Sequence, residues 1–120
     1  MNKKLLVATL GILIIASLVI VIKLQNSGAV NTHEVVRDTI GYQPAELTIN
    51  RGDTVRFINR GGAHHWPASD LHPTHGVYPD FDPRRAIADG EVWEFTFAKR
   101  GEWKFHDHVR ANIRGVINVK

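Results

Sequence analysis

The stretch that decides the fold is GEWKFHDHVRANIRGVINV, from Gly101 to Val119. Its first half alternates apolar and polar residues, with Trp103 and Phe105 two positions apart. Side chains two apart on a β-strand project from the same face. The pattern therefore predicts a strand with Trp103 and Phe105 facing a core and with His106 and His108 together on the other face.

Segments before this stretch have the same character. They are short runs of β-branched and aromatic residues separated by Gly, Pro, Asn and Asp, which is typical of an all-β sandwich or barrel. No part of residues 33–120 has helical periodicity over three turns. The predicted strands, besides the one from Gly101 to His108, are His33–Ile40, Ala45–Asn50, Thr54–Asn59, Glu91–Ala98 and Arg114–Val119.

A long segment from Arg60 to Gly90 interrupts the strands and carries four prolines. Prolines disfavour regular ladder pairing, so an irregular loop is expected here. The same segment contains Trp66, Tyr78 and Phe81, which indicates an ordered loop packed on the sandwich. Its acidic residues beside Pro and Gly are interpreted as turn residues: Asp80, Asp82 and Asp89.

The N-terminus has the features of a targeting segment. Lys3 and Lys4 precede an uncharged run from Leu5 to Ile22, which Lys23 closes. This length lies at the lower limit for crossing a bilayer as a helix. Residues 1–24 are therefore predicted to be a transmembrane signal-anchor, with a cleaved signal peptide as the alternative, residues 25–32 a linker, and residues 33–120 the folded domain. Because lysines stay on the cytoplasmic side, the domain is expected outside it, periplasmic or at the cell surface, or secreted if the segment is cleaved.

Charge and cysteine content exclude several classes of function. The formal net charge of +3 is carried entirely by Lys3, Lys4 and Lys23, which leaves 12 basic and 12 acidic residues in the rest of the chain. No basic patch is expected, so nucleic acid is not predicted as a partner. The chain contains no cysteine, which excludes disulfides and thiolate chemistry.

Histidines provide the strongest sign of chemistry, since six of the seven fall in two clusters. Imidazoles two apart on one strand face lie roughly 6 to 7 Å apart and can converge on one metal ion, with further ligands from the long loop. His106 and His108 are the favoured pair; His65 and His72 follow, then His75. His64 is included as a ligand or as its neighbour's structural companion. The alternative is that the loop histidines only make turns and hydrogen bonds.

Asp107 lies between the two strand histidines. Alternation places it with Trp103 and Phe105 on the inward side. It is expected either to hydrogen-bond a ligand imidazole or to be a strand-end carboxylate in solvent.

These residues resemble the cupredoxin superfamily. The resemblance rests on PAELTINRGDTVRF, from Pro44 to Phe57, and on the stretch from Gly101 to Val119. The motifs HWPAS, HPTH and YPDFDP resemble cysteine-free bacterial cupredoxin-like proteins, and GEWKFHDH is similar to the copper strand of multicopper oxidases. The resemblance implies a Greek-key β-sandwich that binds copper.

One departure from that family determines the kind of site. A blue-copper centre needs a cysteine thiolate, and in the cupredoxin pattern that cysteine falls at about Asp107. A type 1 copper site is therefore excluded. Since His106 and His108 are predicted to face away from the core, an accessible site under or beside the long loop is expected.

Three functions are consistent with the sequence. The favoured one is a copper-binding protein for capture, buffering or delivery, with a copper donor or acceptor protein as a partner. The second is a small metalloenzyme, with copper redox or zinc hydrolytic chemistry, although no positioned acid–base pair is evident. The third is a metal-free structural or partner-binding sandwich. Zinc is the alternative metal, and the oligomeric state is left open.

Overall fold

A computed structural model describes the backbone of residues 2–25 and 28–120, and the side chains of residues 2–15 and 28–120. In the predicted membrane segment, residue 1 and the side chains of residues 16–24 lie outside the described residues. In the predicted linker, the side chain of residue 25 and all of residues 26 and 27 do so as well. The elements are α1 (Lys3–Gln25), β1 (Thr32–Arg37), β2 (Tyr42–Gln43), β3 (Glu46–Ile49), β4 (Thr54–Asn59), β5 (Pro67–Ser69), β6 (Val92–Thr96), β7 (Gly101–Asp107) and β8 (Arg110–Val119).

The strands form two four-stranded sheets, in the orders β2-β1-β4-β6 and β3-β8-β7-β5. Strand β1 runs parallel to β4, and β3 runs parallel to β8, while the other pairs are antiparallel. The prediction of an all-β sandwich is confirmed. Each predicted strand is present, and Thr54–Asn59 has the predicted limits.

Two short strands were not predicted, and one of them lies in the proline-rich loop. Pro67–Ser69 forms β5 and pairs antiparallel with β7. The expectation of a wholly irregular loop was therefore wrong. The physical reason is that β5 lies at the edge of its sheet and pairs only with β7. Because no second strand lies beside β5, a proline can be accommodated there without breaking a hydrogen bond to one. The other unpredicted strand is β2, which pairs with the end of β1.

Aromatic side chains build the core and attach the long loop to it. The ring centroids of Phe57 and Phe105, from opposite sheets, lie 5.6 Å apart. Phe81 belongs to the loop, is fully buried, and packs 5.4 Å from both of these rings. Tyr78 is also buried, against Trp103 at 4.7 Å. The loop between β5 and β6 is thus anchored in the core at two points.

The N-terminal helix α1 stands apart from this core. Its described large apolar side chains, such as Leu5, Leu10 and Ile12, are at least half exposed. Among the described residues, no helix has the length and apolarity needed to cross a bilayer. The membrane-spanning or signal role of the segment remains a prediction.

Candidate metal centre

Four imidazoles converge where β7 ends beneath the long loop. His106 and His108 come from β7 and the residue after it, and His72 and His75 come from the loop. One ring nitrogen from each lies within 4.8 Å of the corresponding nitrogens of the other three. Among the described residues this is the group whose nitrogens and oxygens have the spacing of a metal site.

The nitrogens that meet are identified by the shortest ring contacts. His72 Nδ1 lies 3.2 Å from His106 Nε2, and His75 Nε2 lies 2.8 Å from His108 Nδ1. Two nitrogens each bound about 2.0–2.1 Å from one metal ion are separated by about 2.9 Å at a right angle and about 3.3 Å at a tetrahedral angle. The spacing of both pairs therefore fits a shared ion.

Two carboxylates fix which nitrogen faces the centre. Asp82 Oδ2 lies 2.7 Å from His75 Nδ1, and Asp70 Oδ1 lies 2.8 Å from His106 Nδ1. A carboxylate accepts a hydrogen bond from Nδ1–H and so leaves the lone pair on Nε2, the nitrogen that faces the centre. Both histidines are buried, so the geometry is held by packing as well as by hydrogen bonds.

His108 is oriented differently, through an aromatic contact. Its ring lies 4.5 Å from the Trp66 ring, and its backbone N–H donates to the Trp66 carbonyl at 2.7 Å. The Trp66 indole in turn donates to Asp82 Oδ1 at 2.7 Å. Asp82 therefore links the supports of two ligands, His75 and His108.

The loop is folded around one buried hydroxyl. Ser69 Oγ, at the end of β5, lies 2.9 Å from the carbonyls of both His75 and Tyr78 and accepts from the Tyr78 N–H at 3.0 Å. His75 itself has a φ of 54°, in the left-handed region that few residues other than glycine adopt. Strand β5 and the buried Tyr78 thus hold His75 in an unusual backbone conformation beneath its partners.

Electrostatics favour the neutral form of the His106 and His108 rings and the charged form of Asp82. Burial would raise the pKa of Asp82, but hydrogen bonds from His75 and Trp66 outweigh it and hold that pKa below its usual range. Burial lowers the pKa of His106, against the opposing effect of Asp70, and also lowers the pKa of His108. Arg114 donates to Asp70 Oδ2 at 3.1 Å and keeps the second carboxylate oxygen occupied.

The other two predicted ligands lie outside this cluster. His64 is exposed in the loop. His65 is buried and places Nδ1 2.6 Å from Asp107 Oδ2, on the inward side of β7. Asp107 also accepts from Arg37 Nε at 3.4 Å, an arginine of the opposite sheet. The expected inward orientation of Asp107 is what the structure has, but the imidazole it bonds is not one of the four.

Sequence reasoning missed two residues of the site. Asp82 was interpreted as a turn residue; it does accept the Arg84 N–H at 2.7 Å, but its carboxylate mainly serves His75 and Trp66. Asp70 was not singled out at all. The available signal was general: histidine ligands need carboxylate or carbonyl partners, and both aspartates are in the histidine-bearing loop.

Comparisons with known proteins identify the fold. No protein-family model matches the chain, and no curated protein matches it by sequence. A purple cupredoxin from Nitrosopumilus maritimus superposes with a TM-score of 0.61 at 17% identity, over 73% of this chain and 99% of its own. A Cu(I) form of an amicyanin variant superposes with a TM-score of 0.65 at 23% identity, over 78% and 87% of the two chains. The chain has the cupredoxin fold.

A third similar structure is part of a larger enzyme. A copper-containing nitrite reductase from Thermus scotoductus superposes with a TM-score of 0.63 at 24% identity, over 74% of this chain and 22% of the reductase. The resemblance inferred from the sequence is confirmed for the cupredoxin fold. Within that fold, this chain has imidazoles and no thiolate as candidate metal ligands.

Proposed function

We propose that the chain is a copper-binding protein that holds Cu(II) through imidazoles alone and serves copper capture, buffering or delivery. The observation that carries the proposal is the convergence of four ring nitrogens from His72, His75, His106 and His108 within 4.8 Å of one another. Neutral imidazole nitrogens are suitable ligands for copper.

Copper is preferred over zinc for two reasons. Among first-row divalent ions, nitrogen sites bind Cu²⁺ more tightly than Zn²⁺. Several of the structures with the same fold are described as copper proteins, including the amicyanin and the nitrite reductase. With either metal, the Asp70 and Asp82 carboxylates, each hydrogen-bonded to one of the four rings, would offset the charge of the divalent ion.

The proposed location is the extracytoplasmic side of a membrane, with the N-terminal segment as the tether. Lys3 and Lys4 precede the uncharged run, and the described leucines and isoleucines of α1 are exposed around the helix. A helix that is apolar on all sides is typical of a membrane environment. A domain held there would exchange copper with a donor or acceptor protein on the same side.

The test is titration of the full-length protein, in detergent and without a histidine tag, with Cu(II). We expect one ion per chain, nitrogen coordination in the paramagnetic resonance spectrum, and none of the intense blue absorption of a thiolate site. The variant with both His106→Ala and His108→Ala should lose this complex. His64→Ala removes an exposed imidazole of the same loop and should keep it.

The proposal fails if the double variant binds Cu(II) with unchanged stoichiometry and affinity. It also fails if metal analysis of the purified protein and titration both favour zinc over copper. Loss of binding in His64→Ala to the same extent as in the double variant would place the ligands elsewhere in the loop.

A further inference from the structure

The four histidines are not equivalent in their exposure. His106 and His75 are buried, and His108 is half-buried beneath Trp66. His72 is exposed. One corner of the centre is therefore open to solvent, and the other three are buried or half-buried.

The three inner rings also have a second support, and among the described residues none is seen for His72. His75 is bonded to Asp82, His106 to Asp70, and His108 is covered by the Trp66 ring. The ring contacts of His72 within the described residues are to other members of the cluster, 5.1 Å to the His106 ring and 4.6 Å to the His108 ring. His72 is thus positioned mainly by the centre itself.

The backbone around His72 has the same character. Residues 71–74 are all exposed, whereas His75 is tied through its carbonyl to Ser69 and through its N–H to the Leu71 carbonyl. Leu71, directly before His72, is 66% exposed and contributes no anchor in the core. The loop is therefore fixed at Asp70 and again from His75 onward, and His72 lies in the exposed stretch between these two anchors.

We infer that His72 is the exchangeable ligand of the centre, through which the metal enters and leaves. The inference rests on the proposed function and specifies how copper is passed on. The bond from His72 Nδ1 to the ion breaks, and a nitrogen or oxygen donor of the partner molecule forms a bond in its place. His75, His106 and His108 hold the ion during this first exchange, and further donors of the partner then replace their bonds in turn. The oxidation state of the ion does not change.

The experiment compares replacement of the exposed His72 with replacement of an inner histidine. Full-length wild type, His72→Ala and His75→Ala are loaded with Cu(II) in detergent. Paramagnetic resonance reports nitrogen coordination, and stopped-flow absorbance reports transfer of the ion to EDTA. Free imidazole is then added to each. His108→Ala, beneath Trp66, provides a second inner position should His75→Ala fold poorly.

We expect His72→Ala to retain one Cu(II) with one nitrogen fewer. Its transfer to EDTA should be at least about tenfold faster than in wild type, since loss of even an outer partner costs that much in metal sites. Free imidazole should restore the wild-type spectrum and slow the transfer, because the exposed corner admits it. The inner variants should be restored less or not at all, because the position of His75 is buried and that of His108 is half-buried beneath Trp66.

The inference is overturned if imidazole restores an inner variant as well as it restores His72→Ala. It is also overturned if His72→Ala matches wild type in spectrum and transfer rate, or if it loses Cu(II) altogether. In these cases wild-type binding still supports the proposed function. Absence of Cu(II) binding by the wild type would instead refute the proposed function itself.

Discussion

Asp82 offers the sharpest test of how the centre is held, because one carboxylate serves two side-chain donors, in addition to the Arg84 N–H. Its Oδ2 lies 2.7 Å from His75 Nδ1, and its Oδ1 accepts the Trp66 indole N–H at 2.7 Å. An indole nitrogen can only donate, and His75 must donate through Nδ1 if its Nε2 is to face the ion. Asp82→Asn keeps the shape but has only one oxygen, so it cannot accept from both.

The expected cost follows from this conflict. If the amide oxygen faces Trp66, its NH₂ group faces His75 Nδ1 and favours the tautomer with a proton on Nε2, the nitrogen meant for the ion. Loss of such an outer partner lowers metal affinity by about ten- to a hundredfold, which corresponds to roughly 1.4 to 2.7 kcal/mol. Replacing Trp66 as well by phenylalanine removes the competing side-chain donor and leaves only the Arg84 N–H on that side. The amide oxygen can then turn toward His75 more readily, and part of the affinity should be recovered.

The assay is competition for Cu(II) against a chelator of known affinity, with the full-length chain. Asp80→Asn is the matched control, since Asp80 is an exposed aspartate of the same loop and its loss changes the charge equally. The reasoning is refuted if Asp82→Asn binds as tightly as Asp80→Asn. It is also refuted if the double variant Asp82→Asn with Trp66→Phe binds no better than Asp82→Asn.

Three further predictions concern pH and stability. Burial lowers the pKa of His106 and of His108 in the folded protein. The free energy of unfolding of the metal-free protein should therefore decrease as the pH falls below about 6.5. Denaturant unfolding above and below that pH measures the change. Asp107→Ala leaves a buried arginine and histidine without their carboxylate and should cost about 3 to 5 kcal/mol of unfolding free energy, while exposed Glu102→Ala should cost little. Gly115→Ala places a Cβ 2.4 Å from the Phe105 ring and should cost about 1 to 3 kcal/mol of unfolding free energy. The control Gly41→Ala should lose no measurable stability, because its Cβ meets nothing within 4 Å. Equal thermal midpoints for the two variants would contradict this prediction.

Much of the fold could be predicted because strand periodicity is a local property. The alternation of Trp103 and Phe105 with polar residues was enough to place β7 and its inward face, and both side chains do pack in or against the core. Strand β5 could not be predicted the same way. Pro67 argues against a strand until its position at the edge of the sheet is known, and that position depends on contacts with β7, distant in sequence.

The site was less predictable than the fold. The pair His106 and His108 follows from the two-residue period, but the choice among four loop histidines depends on how the loop turns. His65, ranked above His75 from the sequence, lies two residues before β5, and its ring faces inward to Asp107. His75, ranked below it, reaches the centre because Ser69 holds its carbonyl and its backbone adopts a positive φ. Neither feature has a local sequence signature.

The position of Asp107 explains why the candidate centre lies on the outer face of β7. Its buried carboxylate accepts from His65 and Arg37 on the inward side, and it also accepts the N–H groups of Trp66 and Val109, each at 3.0 Å. These bonds occupy the inward-facing group at this end of β7 with donors of the protein itself. The neighbouring residues of the strand must then face outward, where water would compete for them unless something covers them.

The long loop covers the outward-facing residues of β7, and its composition suits this role. A cover must reach over β7, return to the core and carry ligands of its own. Tyr78 and Phe81 return it to the core, while Trp66 shields His108. The buried Asp107 on the inner side of β7 and the loop with its aromatic residues on the outer side therefore act together to place the four histidines. A variant that removes the loop's core contacts, such as Phe81→Ala, should release His75 and lower copper affinity even though Phe81 touches none of the four ligand rings. Unchanged affinity in a folded Phe81→Ala protein would separate the loop's packing from the site and break this argument.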